Sequence, residues 1–165
     1  MNEPVKPILP FRHSSETLAG LIYGVVTAMA VIAALAGKSA NVLVISVIAF
    51  GTSLALALTY VYAHWLAGSY AGPEGHAGSR RAWQFELPTL AGPLILGAIM
   101  VVEKLAGVST VVAAESTMWF GTMILFVLGY RIALQAGRRY RAAIAFGLLD
   151  SAIGASLVLA KVIIH

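Results

Sequence analysis

The chain of 165 residues contains no cysteine and little charge, with Asp, Glu, Lys and Arg making up only 11% of it, against roughly 25% in soluble domains. The first absence excludes a disulfide framework, an iron–sulfur cluster, a thiolate metal site and a catalytic thiol. The second, beside 59% hydrophobic residues and a mean hydropathy of +0.87, leaves too little polar surface for water, so lipid is the solvent. Enzyme signatures are missing as well. There is no Ser-His-Asp order with a nucleophile elbow, no HExxH and no glycine-rich phosphate loop before a lysine, so no enzymatic activity and no cofactor is expected. The net charge of +4 does not point to nucleic acid, because the basic residues stand at the ends of apolar runs, where membrane topology places them.

What the chain does have is apolar runs of spanning length. About 20 apolar residues cross the hydrocarbon at 1.5 Å rise per residue, and five such segments are expected, at about 16–36, 41–66, 87–107, 116–135 and 142–164. The fold class is therefore all-α, a polytopic membrane bundle of five transmembrane helices after a segment 1–15. "GKSAN" is a tight turn that makes the first two spans a hairpin. Residues 68–86, "GSYAGPEGHAGSRRAWQFE", read as a loop. Pro88 is tolerated in the first turns of the third span, and Pro93 is expected to bend it. A short connection around "GVST" and the turn "AGRRYR" join the last three spans.

Five spans place the amino terminus, the long loop and the "AGRRYR" turn on one side. That side holds Lys6, Arg12, Arg80, Arg81, Arg131, Arg138, Arg139 and Arg141, eight in all, against Lys38, Lys104 and Lys161, three, on the other. The positive-inside rule then puts the amino terminus in the cytoplasm and the carboxyl end outside, as in a bacterial inner-membrane protein. "AALAG" loosely resembles a signal-peptide cleavage region, but the apolar stretch before it is too long and its flanks fit a retained span.

The first span opens with "ETLAGLIYGVVT", residues 16–27. Gly20, Gly24 and Ala28 fall on one helix face, and such a row lets another helix approach closely where lipid offers no hydrophobic drive. Glu16, Gly20, Tyr23, Gly24, Val26 and Thr27 also resemble the opening of the vacuolar iron transporter family, Glu-x-x-x-Gly-x-x-Asp-Gly-Leu-Val-Thr. The order of features resembles that family over nearly the whole chain: five spans, a cytoplasmic amino terminus, a loop after the second span and a basic turn before the last. The residue match covers about one helix. The resemblance implies a related scaffold and a homodimer packed through the first helix. Two departures touch its ion path. Tyr23 stands in place of the family's aspartate, and Thr59, before Tyr60, in place of a glutamate. A phenol does not replace a carboxylate ligand for Fe²⁺ or a proton relay at neutral pH. Where the family often carries a glutamate-rich metal-gathering domain, residues 68–86 hold only Glu74 and Glu86, so no metal site is expected.

Charges at membrane depth cost on the order of 2.5 to 3.5 kcal/mol on insertion scales and mark candidate function. Asp150 lies about eight residues, roughly 12 Å, into the fifth span, and Arg131 sits a little over one turn inside the fourth. The leading expectation is a structural ion pair between Arg131 and Asp150 that staples this hairpin. A proton or cation relay at Asp150 is the alternative, and a lipid contact by a snorkelling Arg131 the third reading. Glu16, four residues after Arg12, serves first as a helix-entry charge, with Ser14 or Ser15 as a cap, and second as an ion-path residue. Glu103 and Lys104 are expected to snorkel at the far interface. His64, with Tyr60, Tyr62 and Trp65, fits an aromatic belt. His13 lies at similar depth, but only His64 is marginally inside the bundle, short of a bis-histidine haem site.

Two function classes follow. One is a non-enzymatic accessory or structural membrane protein that keeps the transporter-like scaffold, with the bilayer, a second copy and an unidentified membrane protein as its partners. The other is a cation or small-solute transporter in which Asp150 replaces the missing carboxylates, with Glu16 at the mouth and Tyr23, Thr59 and other hydroxyls along the path.

Overall fold

The computed structural model describes residues 11–36, 38, 41–70 and 86–164, with the side chains of 11–16, 68–70 and 164 outside the description. Among the described residues there are five long helices: α1 (Phe11–Leu35), α2 (Val42–Tyr70), α3 (Ala91–Leu105), α4 (Thr110–Gln135) and α5 (Tyr140–Ile164). No strand occurs among the described residues. Candidate spans are Thr17–Leu35, Val42–Ala67, Glu86–Leu105, Thr110–Gln135 and Tyr140–Ile163. The chain is an integral membrane protein with an all-α bundle.

The turns show why the helices stop where they do. The Asn41 side-chain oxygen accepts from the Leu43 N–H at 2.9 Å and caps the start of α2. After α3, Gly107 adopts φ +86°, the Gly107 N–H donates to the Lys104 carbonyl, and the Val108 N–H to that of Glu103. After α4 the same device recurs: Gly137 has φ +72°, with Gly137 N–H to Leu134 and Arg138 N–H to Ala133. Both are Schellman caps, in which glycine takes the left-handed position without a Cβ penalty. Ser109 caps α4 by accepting from the Val112 N–H at 3.4 Å, so this helix begins six residues before the expected 116, and Glu115 is inside it.

The disturbance expected from Pro93 falls one turn earlier, at Leu90, a turn residue between a helical turn over 86–89 and α3 whose backbone keeps helical dihedrals (φ −71°, ψ −19°). Pro93 has no N–H for the carbonyl four residues back, that of Thr89, and its ring crowds it. The carbonyl freed in this way lies against α1. A Cβ on Gly24 would overlap the Thr89 oxygen, and one on Gly92 would run into the Gly24–Val25 peptide. Gly20 and Ala28, on the same row, are buried too. The small-residue face expected to hold a second copy is therefore covered inside one chain, and a homodimer has to use another face.

Helix α1 packs on all four other helices and supplies Val25, Ala28, Met29 and Ile32 to a core completed by Ile45, Leu96, Met100, Met118 and Leu125. The most extensive pairing is the α4–α5 hairpin. Its seam on α5 repeats every seven residues, as in a coiled coil. Tyr140 meets Tyr130 edge-on, Gly147 lies on Phe126, Gly154 on Thr122, and Lys161 pairs with Glu115 at 3.2 Å.

Candidate functional site

A cleft of about 840 Å³ opens in the half of the bundle that carries the beginning of α1 and the turn between α4 and α5. Ala19, Ile22, Tyr23 and Val26 of α1 form its floor, and Leu56, Thr59, Tyr60 and Ala63 of α2 one wall. Both sets follow the i, i+3, i+4, i+7 spacing of a single helix face. Ile132 of α4 and Ile153 of α5 form the opposite wall, and Glu86, the first residue of the third span, closes the site. Tyr23, Leu56 and Tyr60 are 46%, 38% and 41% exposed within spanning segments, so the cleft opens sideways between α2 and α5.

Tyr23 and Thr59, the two positions where the resemblance expects acids, share this cleft. The Thr59 hydroxyl donates to the Ala55 carbonyl of its own helix at 2.8 Å and offers the cleft only its lone pairs. Tyr60, expected in an interfacial belt, lines the cleft and is 41% exposed, with its ring on His64 at 4.2 Å. Tyr62 and Trp65 do lie outward, 58% and 52% exposed, with their rings 6.0 Å apart. The His64 Nδ1–H donates to the Tyr60 carbonyl at 3.1 Å.

Glu86 is the residue that the sequence reading left in the loop. It is 3% exposed, its Oε2 has no hydrogen-bond partner among the described residues, and His64 lies within electrostatic reach. The sequence signal was its place directly before "LPTLAGPLILGAIM", where a helix-start carboxylate and a loop residue look alike.

The expected ion pair between Arg131 and Asp150 is not formed. The Asp150 carboxylate packs against Gly129, in the gap a Cβ there would fill. Arg131, two residues further on, points about 200° away around the helix and is exposed. Among the described residues the ion pair is Lys161 with Glu115, at the opposite end of the same hairpin. Asp150 belongs to the seam and does not line the cleft. The Glu16 side chain, His13, Ser14, Ser15 and Glu74 lie outside the described residues. Glu103 does not simply snorkel: its Oε2 accepts from Ser116 at 2.7 Å and from Thr117 at 3.5 Å. Among the described residues no three His, Asp or Glu side chains converge as a metal would require.

Comparison with protein-family models, curated proteins and solved structures gives no match.

Proposed function

We propose that the chain is a non-enzymatic accessory or structural membrane protein built on a scaffold like that of the vacuolar iron transporters, and not an iron carrier. The observation that carries this reading is the wall of the cleft. Tyr23 and Thr59 stand together there among aliphatic and aromatic side chains, and Glu86 is the one carboxylate among the described residues that line it. A hard divalent cation stripped of water takes about six oxygen or nitrogen ligands. One carboxylate and three hydroxyls, one of them already turned to its own helix, do not supply that set. The proposed setting is a bacterial inner membrane with the amino end in the cytoplasm, supported by the eight basic residues against three.

The test is uptake of Fe²⁺, Mn²⁺ and protons into liposomes that hold the purified protein. The expected result is no uptake above empty liposomes. Uptake that disappears in Glu86→Gln would replace this reading with transport. That second reading has one observation in its favour, the buried Glu86 in a lipid-open cleft; Asp150, its first candidate, sits in the α4–α5 seam instead.

A further inference from the structure

The carboxylates of the described bundle differ in what surrounds them. Glu103 accepts two hydroxyls, Glu115 holds Lys161, and Asp150 is packed on Gly129. Glu86 is more deeply buried than Glu115, with 3% against 55% exposed; it lines the cleft, the Thr89 side chain lies beside it, and its buried Oε2 has no hydrogen-bond partner among the described residues. A polar group buried in this way costs free energy until something binds it. His64 of α2 is its ionisable neighbour, yet the two form no ion pair.

The cleft around Glu86 narrows the chemistry of what would satisfy it. Its volume of about 840 Å³ falls in the range of roughly 300–1,000 Å³ typical of sites for small organic ligands. Among the described residues an inorganic cation finds too few ligands. A neutral acyl chain would fill the apolar walls and leave the carboxylate unpaired. A molecule with an apolar body and one weakly hydrated positive centre meets both demands, because aromatic faces attract such a centre and the carboxylate neutralises it. We propose that this cleft binds a lipophilic organic cation, with Glu86 as its counter-charge and Tyr23 and Tyr60 flanking the charged centre. The site is the one used by the transport reading, but the inference concerns binding alone and holds for a protein that moves nothing.

The probe is tetraphenylphosphonium, titrated calorimetrically into the purified full chain in detergent, with neutral triphenylphosphine oxide as the comparison. Saturable binding at one site per chain is expected, weaker by at least tenfold for the neutral compound. Glu86→Gln keeps the shape and removes the charge, and should weaken binding at least tenfold while the unfolding temperature stays within a few degrees of the parent. Leu56→Trp, which fills the cleft without touching the carboxylate, should weaken binding as well, and Asp150→Asn should leave it unchanged. Affinity within twofold of the parent in Glu86→Gln, or equal affinity for the neutral compound, overturns the proposal. No saturable binding by folded protein also overturns it. In that event a dimer by light scattering assigns the cleft to a second copy, and co-purified phospholipid assigns it to a lipid tail. Liposome uptake is read separately, so absence of flux beside charge-dependent binding refutes the transport reading without touching this one.

Discussion

The two ends of the bundle treat their carboxylates in opposite ways. At the end where α3 and α5 finish and α4 begins, Lys161, 7% exposed, meets Glu115, and Glu103 is held by Ser116 and Thr117. At the other end Glu86 is buried without a partner for Oε2, and the helices are held by backbone approach at Gly24, Thr89 and Gly92. The difference separates two uses of polar groups in a low-dielectric interior. Partnered groups fasten helices to one another. An unpartnered carboxylate beside a cavity is left for the ligand proposed above.

The largest effect is expected where the cleft end is joined. Gly24→Leu drives a side chain into the Thr89 carbonyl, and should cost on the order of 3 kcal/mol or more, the upper end of overpacking. Thermal unfolding in detergent reads it, and the loss should fall on the folded single chain and not merely on association. At the opposite end, Glu115→Ala strands the buried Lys161 and should cost about 1–3 kcal/mol, between the limits for exposed and buried pairs, since Glu115 is half exposed. Lys161→Met should cost less, and the double variant should recover part of the Glu115→Ala loss in the same denaturation assay.

The sign of a third pair of effects sharpens the contrast. Glu103→Gln replaces a charged acceptor of two hydroxyls and should destabilise by about 1 kcal/mol. Glu86→Gln removes a buried charge whose Oε2 has no hydrogen-bond partner among the described residues, with the Thr89 side chain beside it, and should be neutral or stabilising; a Glu86→Gln loss equal to that of Glu103→Gln would erase the distinction between the two ends. The smallest effect belongs to the hairpin charges that do not meet. Arg131→Leu and Asp150→Asn should be additive to within about 0.5 kcal/mol in a double-mutant cycle, whereas an ion pair would couple them by more.

Most of the architecture was legible in the sequence, because hydrophobic length and turn chemistry are local properties. The five runs, the hairpin turns and the Ala-Gly pairs at 106–107 and 136–137 can be read within a few residues of where they act. Depth in the membrane is legible in the same way, and Arg131 and Asp150 do lie at similar depths. Azimuth is not, since a helix turns about 100° per residue; the two-residue offset from Gly129 sends Arg131 to the far side. The cleft was legible only in fragments. Tyr23 and Thr59 drew attention through a resemblance, but Glu86 joins them only because the start of the third span packs on α1, Thr89 against Gly24, a contact between residues 65 positions apart. The fourth span was expected from about 116, after a connection around "GVST"; the Ser109 cap starts α4 at Thr110 and brings Glu115 inside it, where it pairs with Lys161.

The sideways mouth between α2 and α5 also decides how the site is filled. A compound that enters there comes from the bilayer, so the concentration that governs occupancy is the one dissolved in lipid. Two ligands of equal intrinsic fit would then rank by their partition coefficients, and apparent affinity would change with the amount of membrane in the sample. Phospholipid molecules, present everywhere at the mouth, become standing competitors for the same space.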